Sequence, residues 1–245
     1  MQIGSSAATR VALLIGLVVF TAAPSRAVEI TLDVLVNGLS VGSLNAAQLG
    51  CTDTGPITAT CSAQNITLGD LLITSVNLNL DTDPIVNAVI AVQNLAFVTQ
   101  QFTLTVTLPV APVGPSSLTG GSVAGGVTDN DGNGATLSTV AGSAFYTALI
   151  DGVLHQALFP HSTVLTQPNA FESADLVPAA FGTPIPSQAG PAVATSIGIR
   201  HDFNLTAQDA ASFTSVFVVE PIPEPSTVLL LGIGLAALAR AARRR

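Results

Sequence analysis

The chain has 245 residues, of which 48% are hydrophobic and only 9% charged, against roughly 25% charged for an ordinary soluble domain. It has no lysine, and its 15 acidic residues all lie between Glu29 and Glu224, a stretch whose one arginine is Arg200. So acidic a body repels nucleic acid and anionic membrane surfaces, which excludes a DNA- or RNA-binding role, and its apolar content argues against intrinsic disorder.

At the N-terminus, Arg10 flanks an apolar run from Val11 to Phe20, followed by Pro24 and by Ser25-Arg26-Ala27. A positive flank, a short apolar core and small residues at −3 and −1 predict a secretory signal helix over 1–27. Signal peptidase would cut it after Ala27 on export by the Sec pathway. Such a run spans about 15 Å, half of a hydrocarbon core about 30 Å thick, which argues against a permanent membrane helix.

Residues 28–220 predict one all-β ectodomain, an antiparallel β-sandwich or jelly-roll-like fold. The apolar period is two: Ile30, Leu32, Val34 and Val36; Val76, Leu78 and Leu80; Phe102, Leu104, Val106 and Leu108; His201, Phe203 and Leu205. Each set predicts a half-buried strand with a polar, often Thr-bearing, outer face. Turn material separates them at Asp81–Pro84, Gly120-Gly121, Gly125-Gly126, Asp129–Gly134 and Pro184–Pro186. Helical turns are expected at Asp151–His161 and at Asp209–Ser212. Phe159–Pro191 holds too many prolines for a central strand and predicts a long excursion, or a pair of edge strands with loops.

Within this body, Cys51 and Cys61 are the two cysteines. In an exported chain they predict a disulfide, and the absence of Lys, Arg and His between them argues against a reactive thiol. Asp129, Asp131 and Asn133 match the first half of a calcium loop, with the glycine at Gly132. Position twelve of that loop is Val140, where a bidentate Glu is needed, so a plain turn is the preferred reading and calcium the alternative. His155, His161 and His201 could form a site only by tertiary convergence. No nucleophile elbow, phosphate loop or zinc-protease motif is present. The chain is therefore read as a non-enzyme without a cofactor.

The C-terminus has three parts. Pro221–Thr227 is proline-rich, Val228–Ala239 is apolar, and the end carries Arg240, Arg243, Arg244 and Arg245. An extended tag, a short membrane-seeking helix over 228–239 and a cytoplasmic arginine cluster make a transient stop-transfer signal. Pro223-Glu224-Pro225 in this setting resembles the PEP-CTERM sorting domain of Gram-negative bacteria, over residues 221–245. The resemblance implies an inner-membrane precursor whose tag, Pro223, Glu224 and Pro225, is recognised by an exosortase. Processing would deliver the protein to the cell surface or extracellular matrix. It further implies a structural or adhesive role beside exopolysaccharide in a biofilm. The alternatives are a carbohydrate- or calcium-binding module and, third, a matrix hydrolase.

Overall fold

Residues two apart on an extended strand share a face, and the apolar residues of this chain follow that spacing through most of sixteen strands. The computed structural model describes residues 29–222, 231–235, 240 and 242. The expected signal helix, with its cleavage point after Ala27, lies outside the described residues. In chain order the first eight strands are β1 (Thr31–Val36), β2 (Leu39–Asn45), β3 (Cys51–Asp53), β4 (Thr58–Leu68), β5 (Leu71–Asp81), β6 (Ile85–Asn94), β7 (Gln100–Pro109) and β8 (Val113–Thr128). Then follow β9 (Ala135–Thr139), β10 (Ala144–Ile150), β11 (Val153–Pro160), β12 (Val164–Gln167), β13 (Ser173–Phe181), β14 (Gln188–Val193), β15 (Ser196–Leu205) and β16 (Ala210–Pro221).

They form two eight-stranded sheets. One has the order β11-β10-β15-β7-β1-β2, with β9 beside β15 and β12 beside β9; the other runs β13-β8-β16-β6-β5-β4-β3, with β14 also on β8. Neighbouring strands are antiparallel throughout, as the alternating pattern predicts. Leu32 and Val34, Phe102 to Leu108, and Ile199 to Leu205 enter one core with Val76 to Leu80, Val86 to Val92, and Phe213 to Val219 of the other sheet. The four alternating sets named from the sequence are all buried in that core. Leu71 and Ile73 have the opposite parity to Val76, and a register shift between Ile73 and Ser75 lets both sets point inward.

The connections sort into two ends. Glu29 leads into β1 beside the end of β7, and the last residues of β16 pair with the start of β8, so both termini of the body share one end. The opposite, far end carries the turns at 37–38, 69–70, 95–99, 129–134, 168–172 and 206–209.

Three local expectations are corrected. Gly120-Gly121 and Gly125-Gly126 lie inside β8 and form no turns. They are glycines because neighbours occupy the space of a side chain: a Cβ on Gly121 would stand 2.5 Å from Tyr146 Oη and 2.8 Å from Val216 O. Asp151–His161 contains no helical turn. Asp151-Gly152 is a two-residue hairpin loop with φ of 51° and 75°, followed by β11. Asp209–Ser212 is not helical either, since Ala207-Gln208 forms the turn and Ala210 already opens β16. The proline-rich stretch is resolved as edge structure, with β13 and β14 lying end to end along β8. Pro178 sits at a break in the β13 register and Pro191 beside one in β14, where a missing N–H costs no ladder bond.

Candidate functional site

Cys51 and Cys61 sit directly opposite each other on β3 and β4 and form the expected disulfide, with Cα atoms 3.8 Å apart. The bond ties the three-residue edge strand β3 to its sheet.

The far end brings three aspartates together. Asp129 and Asp131 of the predicted loop are joined by Asp209 from the β15–β16 turn, their carboxylate oxygens within 4.8 Å of one another. Asp129 and Asp209 are buried, and Asp131 is exposed. Asp129 accepts from Gly132 N at 3.0 Å and from Phe171 N at 2.7 Å. Burial works against its charge, but these N–H donors, with Gly134 N and Asp131, outweigh that and hold its carboxyl below the usual range. Asp209 accepts from Asn130 N at 3.2 Å and from Thr206 Oγ1. Its carboxyl is raised, by burial first and then by the charges of Asp131 and Asp129. Asn133 donates to Asp131 from Nδ2 at 2.6 Å and from its backbone N at 3.2 Å. Asp129, Asp131 and Asp209 are the groups that could hold a divalent cation. Their oxygens already act as turn caps. Asp209 lies 78 residues beyond Asp131, and no sequence spacing announced it.

The three histidines do not converge. His201 is fully buried; its Nδ1–H donates to Phe145 O at 2.9 Å, and Nε2 accepts from Ser215 Oγ at 3.1 Å across the sheet interface. A carbonyl can only accept, which fixes this neutral tautomer. Burial, opposed by the Phe145 bond and by Asp202, lowers its pKa to about 4. The ring stacks on Phe213, with centroids 4.8 Å apart. His155 on β11 reaches Thr119 Oγ1 at 2.9 Å, and Thr119 donates in turn to Gln188 O. Its pKa is lowered by burial. His161 lies in the exposed turn after β11. His201 is buried and His155 half-buried, and each bridges to a hydroxyl on a neighbouring strand.

A surface cleft of about 260 Å³ contains Asp81 as its one titratable group, and two others carry titratable groups as well. One of about 290 Å³ is lined by Asp151, His155, Val153 and Leu154. The Asp151 carboxylate there is committed to the N–H groups of Ala194, Thr195 and Ser196. Although partial burial opposes its charge, those bonds lower its pKa. The other, about 420 Å³, contains Asp175, Pro178, Ser212 and Thr214. Neither brings a nucleophile, a base and an orienting group together. Arg200, the body's one cation, is paired with Asp202 on its own strand at 2.8 Å.

At the C-terminal boundary β16 stays paired through Pro221 opposite Ser117, and Ile222 N donates to Ser116 O at 3.4 Å. Pro223, Glu224 and Pro225 lie outside the described residues. Within the expected apolar helix, residues 231–235 are helical and exposed. Among the described residues, no helix is long and apolar enough to cross a membrane. Residues 221–245 match the PEP-CTERM protein-sorting motif, which indicates exosortase-dependent sorting of a membrane-anchored precursor to the cell surface. No curated protein matches the chain.

Proposed function

We propose, from the sorting motif at residues 221–245, that this is a Sec-exported matrix protein of a Gram-negative bacterium, freed from its membrane tail by an exosortase. Its role is structural or adhesive within an exopolysaccharide-rich biofilm. One observation supports this reading above others: the last strand of the β body runs without a break into the matched motif. The chain is thus a folded cargo joined directly to an address. The acidic groups with the strongest hydrogen bonding, Asp129 and Asp151, are spent on holding loops, which suits a scaffold.

The test compares wild-type cells with cells carrying Pro223→Ala/Pro225→Ala in the full chain. The variant is expected to stay in the inner membrane, and the matrix to lose cohesion under shear. A matrix that keeps its cohesion while the protein is absent from it would remove the structural role.

A further inference from the structure

The two sheets turn different chemistry to solvent. In the sheet centred on β6 and β16, Leu78, Ala88, Ser215 and Val123 are buried in the core, so the residues beside them on each strand point outward. The register sets these outward residues in rows. The middle row runs Ser62, Asn77, Val89, Thr214 and Ala124 across β4, β5, β6, β16 and β8, each the direct partner of the next. The rows on either side run from Thr60 to Ser122 and from Gln64 to Gly126, and hold only Asn, Ser, Thr, Gln, Val, Ala and Gly. None of the three rows carries a charged or aromatic side chain. The outer face of the sheet centred on β7 and β15 does carry charge: Asp33 and Arg200 both pair with Thr105, and Asp202 pairs with Thr103. The other described carboxylates stand at the two ends of the sandwich or, as Asp53 and Asp175, on the edge strands β3 and β13.

A body with 15 acidic residues and one arginine repels other copies of itself. Two copies therefore meet at least cost where no carboxylate faces another, and these rows are such a surface. Their chemistry is also self-complementary. Amides and hydroxyls both donate and accept, so the same groups can satisfy one another across a two-fold axis, which carboxylates cannot do. Ser62 Oγ donates to Asn77 Oδ1 at 2.9 Å, which leaves the Asn77 amide to donate outward. Val89, 38% exposed, is the middle residue of the middle row, an apolar centre within a polar rim. Polyanions and polycations find no counter-charge on these rows, and sugars find no aromatic ring to stack on. Four inter-strand steps of about 4.8 Å and the length of β6 give a face of about 19 by 30 Å, the size of a weak, reversible contact.

We infer that this charge-free outer face is a self-association surface, on which a second copy of the chain packs about a two-fold axis close to Val89. Both termini of the body leave from one end of the sandwich and not through this face, so the tail does not obstruct it. The contact rests on the body alone. It stands or falls separately from the sorting and matrix roles proposed above.

The test uses the full-length chain in detergent. Val89→Cys adds one free thiol, because Cys51 and Cys61 are bonded to each other, and a mild copper oxidant should link two chains through it. Thr107→Cys, on the outer face of the opposite sheet, should stay unlinked under the same treatment. Val89→Asp sets two carboxylates face to face across the axis and should weaken association about a hundredfold in sedimentation. Mixing Val89→Asp with Val89→Lys should restore pairing between the two variants. Equal linking at Thr107, or sedimentation unmoved by Val89→Asp, would place the contact elsewhere, the apolar tail included, and overturn the surface. A chain that stays monomeric at its highest soluble concentration would overturn it as well. So would saturable binding of a neutral polysaccharide that Val89→Asp abolishes in a monomeric protein, which would give the face to that polymer.

Discussion

His201 shows how a polar residue can be built into an apolar core. Its Nε2 accepts from Ser215 Oγ across the two sheets, its Nδ1–H donates to Phe145 O within its own sheet, and burial holds the ring neutral. Its folded pKa, about 4, lies below the unfolded value of 6.5. The unfolded chain therefore binds more protons between those values, and stability is lost as pH falls from 6.5 towards 4. The shift corresponds to about 3 kcal/mol. Denaturant titrations across this range should show that loss, and His201→Phe should lack it. Equal slopes in both proteins would show that His201 is not the group responsible. Asp209 carries the opposite sign. Its folded pKa is raised by burial and by two neighbouring carboxylates, so its contribution is lost as pH rises through that value. Asp209→Asn keeps an acceptor for Asn130 N and removes the repulsion, and should melt no lower than wild type at neutral pH. A clearly lower melting temperature would show that the charge itself is needed there.

Among the elements, the strands were legible where alternation was clean. Phe102 to Leu108 and Ile30 to Val36 reached the core as read. β8 was not legible. Its glycines resemble turn signals in the sequence, yet they exist because Tyr146, Phe181, Ile185 and Phe213 occupy the space over that strand, a long-range fact that no local pattern contains. Gly121→Ala forces a Cβ against Tyr146 Oη and the Val216 carbonyl, and should cost roughly 1–3 kcal/mol by thermal melting. A neutral result would mean that β16 can move away. Asp151-Gly152 is the converse case, an Asp-Gly hairpin signal present in the sequence that the structure uses as one between β10 and β11. The disulfide was readable from compartment and count alone. Cys51→Ser/Cys61→Ser should cost about 2–3 kcal/mol by releasing a short loop in the unfolded chain. It should also free the β3 amides to exchange, while β5 and β6 stay protected. Unchanged exchange in β3 would show that the strand holds without the bond.

For the whole molecule, the address was legible and the acidic cluster was not. Pro223-Glu224-Pro225 is contiguous, whereas Asp129, Asp131 and Asp209 are brought together from loops far apart in sequence. The body's ends and its sorting signal share one side. Residues 223–227 separate Ile222 from the apolar segment, and an extended chain of that length reaches only about 20 Å. The precursor would thus hold the sandwich close to the membrane until the tail is cut, after which the body departs without its terminal arginines. Intact mass of the protein recovered from matrix and envelope tests this most directly. The expected species begins at Val28 and ends near Pro225. A protein found only in the inner membrane, with its C-terminus intact to Arg245, would contradict the account.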